Sequence, residues 1–589
     1  MGLPKGMAVP RPEHPRPDFK RENWLNLNGR WRFHTPRHAG RKKERGPTEE
    51  FSREIVVPFP PESELSGIRE TGFMEEVWYK RNFKIPRNWS GNRVLLHFGA
   101  VDYEAEVWVN GRKVGSHKGG YTPFSFDVTD SISFEKRNEV VVAARDGNRS
   151  GLQASGKQSP RLKSFGCYYT RVTGIWQTVW LEAVPKTYVR YFRFLPSHDG
   201  AKVYVEIKLG GKKELANAKA TISLEGREVA SSRLLRTEPP TLSLETDGLK
   251  AWNPEDPILY DVRLEVMGES GDTDSVDSCL GLRRVEVKGN SILLNGRKRF
   301  LRLVLDQGYY PDGVYTAPSD EALRKDIELA KEMGFDGARL HQKVFEPRFL
   351  YWADKLGYLV TGEYADWGCD LSNPKAREDF FDGWIEAVER DLNHPSLVIW
   401  TPFNERVFKK SDKDVVDFVR RVVKVTKLID PTRPVIDSSG YVHVETDIFD
   451  VHDYEQDPEV FRSHYERFGE TGSSTDLWVN FREESAEYSG QPVMVSEYGG
   501  TWWNPGNPKD RKAWGYGKRP STAEEFLARY ESLTETLLSN PRISAFCYTQ
   551  LYDIEQEVNG LSSYERRAKF DVETIRKINA QAAAIEVRP

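Results

Sequence analysis

From about residue 286 onward, short apolar runs alternate with longer amphipathic stretches, eight times over. The runs cover residues 300–305, 337–340, 358–361, 397–400, 435–437, 448–451, 493–496 and 543–548. Each is too short for a helix, and several are rich in β-branched residues, as buried strands are. The stretches between them carry helical marks. Residues 319–333 have Ser319 as a cap and Gly334 as a stop. Further helices are expected at 347–356, 377–392, 413–428 and 522–538. Eight strands with crossing helices over about 300 residues specify a TIM (β/α)8 barrel. In such a barrel the chemistry is built at the C-terminal ends of the strands.

Two of the runs end in a carboxylate. The segment NHPSLVIWTPFNE, residues 393–405, places Asn404 and Glu405 just past the fourth strand. The segment PVMVSEYGG, residues 492–500, places Glu497 at the end of the seventh. The two glutamates are 92 residues apart (497 − 405). With roughly 30 residues per βα unit, they face each other across one barrel mouth, about three strands apart. Paired carboxylates across a cleft are what glycoside hydrolysis needs, one as acid and one as nucleophile or base.

The rest of the chain reads as β-structure. Residues 1–185 hold short alternating runs at 77–83, 93–98, 105–109, 139–144 and 178–181, with Asn110-Gly111 as a hairpin signal. This part is expected to be a jelly-roll β-sandwich. Residues 186–285, with runs at 202–209, 218–224 and 257–266, fit a small immunoglobulin-like sandwich. The expectation is a multidomain β plus α/β chain, with the barrel over 286–589. A balance of 85 Lys and Arg against 89 Asp and Glu gives no reason to expect nucleic acid or a membrane surface as partner. No apolar run approaches the length of a membrane helix. The start of the chain shows no apolar secretory segment, so a cytoplasmic location is expected. The cysteines Cys167, Cys279, Cys369 and Cys547 are too scattered for a disulfide framework or a metal pair.

The order of these parts, the NHPS…W…NE run, the Ser496-Glu497-Tyr498-Gly499 context and the jelly-roll text of residues 98–129 together resemble glycoside hydrolase family 2. That resemblance covers nearly the whole chain. It implies an exo-acting, retaining enzyme with Glu405 as acid/base and Glu497 as nucleophile, the pKa of Glu405 raised and that of Glu497 kept low. It implies that Asn404 binds the sugar 2-hydroxyl, that Arg339 ends strand two as the family's arginine does, and that neither cofactor nor metal is needed. The partner is a carbohydrate, and a homo-oligomer is open. Further candidates for the sugar site are Asp306 and Gln307 after strand one, His341 after strand two, and Trp367, Trp502 and Trp503 after strands three and seven. His452 and Tyr454 after strand six, and Tyr548 and Gln550 at strand eight, complete the set. Trp400 fits either core packing or the site wall. Arg339 fits either a substrate contact or a structural ion pair. The jelly-roll loops near Asp102 and Lys157 could reach the mouth and narrow it to exo action.

The sequence also departs from the family's patterns. An Arg-x-x-His element is replaced by Arg339-Leu340-His341-Gln342. The Asn-x-Lys element by which β-glucuronidases hold a carboxylate is missing from residues 548–567, which argues against glucuronides. A galactoside-type hexose is the leading expectation. A mannoside, a furanoside, or a relative that binds sugar without cleaving it are the alternatives.

Overall fold

The computed structural model describes residues 9–36, 51–197, 200–235, 237–506 and 512–587. The first eight residues of the segment inspected for a secretory signal lie outside these. No helix among the described residues is long and apolar enough to cross a membrane.

The first β-rich part is a sandwich of two antiparallel sheets. A four-stranded sheet runs Trp24–Asn26, Val179–Val184, Arg93–Phe98, Phe124–Asp127. A six-stranded sheet faces it, ordered Arg53–Val57, Gly29–His34, Glu76–Phe83, Asn138–Arg145, Glu104–Val109, Arg112–Lys118. Alternation along the strands sends Val77, Tyr79, Val94, Leu96, Val140 and Val142 into one core. The Asn110-Gly111 turn joins two of these strands, and both residues have positive φ, +50° and +81°, as a type I′ hairpin requires.

The second sandwich is one seven-stranded antiparallel sheet folded over itself, from Thr187–Pro196 to Thr273–Leu280. It has its own core around Phe192, Ile207, Leu242 and Leu264. A small hairpin sheet, Val285–Lys288, Ser291–Leu294 and Arg297–Lys298, then leads into the barrel. Its Ile292 and Leu294 pack with Leu303, Met494 and Ala545 from the barrel strands.

The barrel's parallel sheet contains seven of the eight expected strands. Their order is Leu397–Thr401, Leu359–Glu363, Gly337–Leu340, Leu301–Asp306, Ile543–Thr549, Val493–Gly499, Phe449–Asp453. The fifth run differs from its expectation. Residues 435–437 form no ladder; Val435 makes one bridge to Trp400, and the pairing passes to Phe403–Asn404 with Ser438–Ser439. That bridge consists of Trp400 N donating to Pro434 O and Ile436 N to Trp400 O, and Pro434, which has no N–H, cannot extend it. Side chains close the seam between the fifth and sixth positions instead. Ser439 Oγ donates to Asp450 Oδ2 at 2.5 Å, and His443 lies between Asp437 Oδ1 at 2.7 Å and the carbonyl of Asp450 at 2.8 Å.

The helices follow the apolar periodicity. Ser319 caps Asp320–Glu332 by accepting from Ala322 N, and Gly334 follows it with φ +84°. The other expected helices are Pro347–Leu356, Pro374–Asp391, Lys413–Ile429 and Ala523–Ser539. Pro458–Thr471, capped by Asp457 and ended by Gly472 at φ +65°, was not among those expected.

Candidate active site

Glu405 directly follows the strand fragment Phe403–Asn404, with φ +50°. Left-handed backbone at a glutamate is costly, on the order of 1–3 kcal/mol, and persists only where the surroundings hold it. Here they do. Glu405 N donates to Ser439 O at 2.9 Å, Asn404 N donates to Asp366 Oδ1 at 3.2 Å, and Arg406 Nε binds Asp366 Oδ2 at 2.5 Å. The residues on either side are thus pinned to the loop after strand three, and the Glu405 side chain turns into the barrel.

Glu497 lies inside the strand Val493–Gly499, not past its end as the sequence suggested. The apolar run stops at Ser496, but the pairing continues to Gly499. Register shifts flank the residue on both sides, between Val451 and His452 on one neighbour and between Val495 and Tyr498 on the other. Such bulges re-aim a side chain without ending the strand. They send Glu497 inward, while Tyr498 goes out to Thr534 of helix Ala523–Ser539 at 2.9 Å.

The two carboxylates meet. One oxygen of Glu405, one of Glu497 and a ring nitrogen of His452 all lie within 4.8 Å of one another. His452 sits between the acids, its Nδ1 2.9 Å from Glu405 Oε1 and its Nε2 3.5 Å from Glu497 Oε1. Arg339 neutralises the group. Its Nη1 binds Glu497 Oε1 at 2.9 Å, its Nε binds Glu363 Oε2 at 2.7 Å, and its Nη2 binds Asn404 Oδ1 at 2.7 Å. Of the two sequence readings of Arg339, the buried ion pair is the one seen, and it also holds Asn404 and Glu497 in place. Among the described residues, Glu405, His452 and Glu497 are the one set compact enough to grip a cation. Arg339 already meets the charge of Glu497.

Electrostatics differ for the two acids. Burial pushes the Glu405 carboxyl up, but the hydrogen bond and charge of His452, with Lys157 behind, outweigh it and leave it at about 2. This is opposite to the raised value expected of an acid. It describes a site in which His452 holds Glu405 ionised. Burial also pushes Glu497 up; His452 and Arg339 more than offset this and hold it below the ordinary carboxylate range. Tyr454 OH donates to Glu497 Oε2, and its ring stacks on Tyr516 at 3.5 Å.

The other expected residues divide. Asn404 is fully buried, and its Nδ2 has no hydrogen-bond partner. Arg339 fixes its Oδ1, so that donor points to whatever enters. His341 Nδ1 stands 3.0 Å from Glu363 Oε1 and 4.0 Å from Glu497 Oε1. Its burial, with Lys157 and Arg339 nearby, lowers its pKa well below that of free imidazole. Gln342, the alternative to His341, instead anchors the next loop through Asp366 Oδ1 at 2.5 Å and Trp367 N at 3.1 Å. Trp367 donates from Nε1 to Asn404 O at 3.2 Å. Gln307 and Gln550 join at 2.7 Å, in a network that continues to Tyr169, Asn559 and Glu557. Asp306 is occupied by Tyr552 OH at 2.5 Å and Gly308 N at 2.9 Å, which shapes the first loop.

Four of the expected aromatic residues do not touch the two carboxylates. Trp400 is 2% exposed, donates from Nε1 to Asp430 Oδ2 at 2.7 Å and packs edge-on against Trp384 of helix Pro374–Asp391. Tyr548 packs against Tyr498 and Tyr530 in the layer between strand and helix. Both are one step out of phase with the inward-facing positions of their strands. Trp503 packs against Phe526 and Phe570. Trp502 donates its backbone N–H to Tyr516 O and lies under Arg519; through Tyr516, which stacks on Tyr454, it is one layer removed from Glu497.

The structure adds residues the sequence did not single out. Glu363, at the end of strand three, carries the same mark as the two chosen glutamates, a carboxylate closing a buried run. Glu557 closes the strand-eight loop, accepting from Tyr169 OH and from Asn559 Nδ2 at 2.9 Å. The Lys157 loop of the first sandwich does reach the mouth. Gly156 N donates to Ala365 O and Trp367 O, both at 3.1 Å, and Lys157 Nζ stands 4.0 Å over the Trp367 ring. Asp102 supports this loop from behind, holding Gln158 Nε2 at 2.7 Å.

Comparison with known proteins agrees along the chain. Residues 68–185 match the model of the sugar binding domain of glycosyl hydrolases family 2, 187–283 match a further domain of that family, and 285–540 match its TIM barrel domain. A β-glucuronidase of Paenibacillus borealis is 24% identical over 441 residues, 70% of this chain and 72% of that one. A β-galactosidase of Thermoanaerobacter pseudethanolicus is 27% identical over 380 residues, 62% of this chain but only 49% of its own length. The chain thus matches about half of that relative. The fold is shared with a solved β-glucuronidase of Bifidobacterium dentium, complexed with coumarin-3-O-glucuronide, at a TM-score of 0.78 and 20% identity, over 95% of this chain and 98% of that one.

Proposed function

The chain is a member of glycosyl hydrolases family 2, and from that premise we propose that it is an exo-acting, retaining β-glycosidase with Glu497 as nucleophile and Glu405 as acid/base. The observation that carries this reading is the approach of the two carboxylates, with an oxygen of each inside 4.8 Å. Retaining enzymes need their carboxyl groups about 5–5.5 Å apart, whereas inverting ones need about 6.5–9.5 Å to seat a water between them.

The side chains suit the two steps. Glu497, kept ionised beside Arg339 and aligned by Tyr454, attacks the anomeric carbon as Glu405 gives a proton to the departing oxygen. The glycosyl ester on Glu497 is then opened by water, whose proton goes to Glu405. The sugar leaves with its β configuration, and both carboxyl groups return to their starting states. Asn404 Nδ2 is placed to donate to the 2-hydroxyl, a contact that strengthens in the transition state. The Lys157 loop walls one side of the mouth, which favours a terminal sugar over an internal one. The printed activities of the relatives divide between glucuronides and galactosides. A galactoside-type ring, the sequence's leading reading, is the neutral member of that pair.

A panel of 4-nitrophenyl β-glycosides, with Glu497→Ala run beside the native protein, tests the assignment. Turnover should vanish in the variant and return with azide, which can replace the nucleophile and gives an α-glycosyl azide. Activity that survives Glu497→Ala unaided would sink the reading.

A further inference from the structure

We propose that Lys157, supplied by the first sandwich, is the residue that admits an acidic sugar, so that the preferred substrate carries a carboxylate: a β-linked uronide. This rests on the reading of Glu405 and Glu497 as the glycosidase pair.

Lys157 is only 7% exposed. A buried ammonium ordinarily has an anion against it. Among the described residues, no carboxylate lies within 4 Å of Nζ, and its direct neighbour is the face of Trp367 at 4.0 Å. The nearest acids are committed elsewhere: Glu405 to His452, Glu497 to Arg339 and Tyr454, Glu557 to Tyr169 and Asn559. They still lie close enough to sustain the lysine's charge against burial. The site thus holds a mostly buried ammonium that makes no direct ion pair with a carboxylate among the described residues.

Its position is built rather than incidental. Gly156 approaches the barrel so closely that a Cβ there would stand 2.3 Å from Gln342 O. That contact sets the loop directly on the loops after strands two and three. Trp367, under the lysine, hydrogen-bonds the carbonyl of Asn404, the residue before Glu405. A sugar seated between the glutamates is therefore within reach of Nζ. A carboxylate on that sugar would give the ammonium a direct, charge-assisted hydrogen bond, which a hydroxyl would supply only in its weaker, neutral form. The absence of an Asn-x-Lys triplet after strand eight spoke against glucuronides, but the ammonium arrives here from another domain.

The test compares sugars that differ only in oxidation at C6: 4-nitrophenyl β-D-glucuronide against the β-D-glucoside, and β-D-galacturonide against the β-D-galactoside. The native protein should favour a uronide over its neutral twin. Lys157→Met, which keeps the stem and removes the charge, should lower kcat/KM on that uronide at least roughly tenfold more than on its neutral twin, with the extra loss mainly in KM. Lys157→Arg should recover part of the loss. Equal losses on both twins, or a native preference for the neutral sugar, would overturn the proposal. Titration of Glu497→Gln with glucuronate, galacturonate, glucose and galactose, followed by calorimetry, reads recognition without turnover. Uronate binding that disappears on adding Lys157→Met supports the assignment even if hydrolysis fails everywhere, in which case only the glycosidase reading falls. No preference for uronates defeats the inference whatever the hydrolysis result.

Discussion

Nδ1 of His452 stands 2.9 Å from Glu405 Oε1, and this contact sets the charge of the proposed acid before any sugar arrives. An acid at about 2 carries no proton at neutral pH. For Glu405 to protonate a leaving group, the sugar must loosen this contact, or the proton must come through the shared histidine.

The same contact makes a stability prediction. Glu405 is held at about 2, below its ordinary value of 4.5. A depressed carboxyl contributes stability that is present above its unfolded pKa and lost as pH falls through its folded one. The window is therefore about pH 4.5 down to 2, and the contribution at stake is on the order of 3 kcal/mol. Urea unfolding of the native protein and Glu405→Gln should differ most above pH 4.5 and converge below it. A gap that stays constant through that range would mean His452 does not hold the carboxylate.

The two tryptophans of the fourth and third strand ends should separate by phenotype. Trp400→Phe leaves a buried oxygen of Asp430 without one of its donors, a loss of about 1–3 kcal/mol of stability. KM should not move, because the ring faces the helices. Trp367→Phe removes the donor to Asn404 O and shrinks the face under Lys157. KM should rise roughly tenfold with little change in melting temperature. Steady-state kinetics beside thermal unfolding decides, and a KM effect at Trp400 would contradict its placement.

These two residues also show what a sequence can and cannot reveal. Glu405 and Glu497 were legible because buried runs ending in a carboxylate are rare and chemically costly. Glu363 bears the same mark and was passed over because no second motif drew attention to it. Trp400, open to either core or mouth in the sequence, and Tyr548 both face the helices, because strand residues alternate and a single step decides between mouth and helix layer. Cys547 lies near Arg339 and Glu497, whereas its neighbour Tyr548 packs outward on Tyr530. The bulges around Glu497 shift that alternation by an amount no periodicity records. The fifth strand is shorter than the apolar run of residues 435–437 suggests: Val435 makes one bridge to Trp400, and Pro434 has no N–H to extend it. Lys157 reaches the site from a loop 206 residues (363 − 157) before the barrel's third strand ends, and only the packing of one domain on another brings it there.

That packing can be tested at one position. Gly156 has φ +55°, and a Cβ on it would meet backbone Gln342 O at 2.3 Å. Backbone cannot rotate away, so Gly156→Ala should lift the Lys157 loop off the barrel. Gly166, with φ +51° and nothing within 4 Å of its Cβ position, shares the backbone cost without the clash. Gly156→Ala should therefore raise KM at least roughly tenfold, while Gly166→Ala leaves it near native. Both should unfold at similar temperatures, since each sandwich keeps its own core. Matching kinetics in the two variants would show that the loop's seat on the barrel is dispensable.

The barrel's closure depends on ionisation in the opposite direction. Between the fifth and sixth positions His443 replaces a ladder, joining Asp437 Oδ1 at 2.7 Å to the carbonyl of Asp450 at 2.8 Å. Burial disfavours the imidazolium, but Asp437 and Asp450 overrule it and raise its pKa from 6.5 to about 9. A raised histidine contributes stability fully present below its unfolded pKa and lost as pH rises through its folded one. The seam should therefore weaken between about pH 6.5 and 9, by an amount on the order of 3 kcal/mol. Asp437 is depressed by the same partner, so the two groups form one linked pair. His443→Gln retains a donor for one side but no charge. It should be less stable than the native protein at pH 6 and approach it by pH 9.5, the mirror image of the Glu405 profile. Amide exchange should locate the difference in residues 438–453, where backbone pairing is sparsest, and a loss spread evenly over the barrel would show that the seam is held by something other than this histidine.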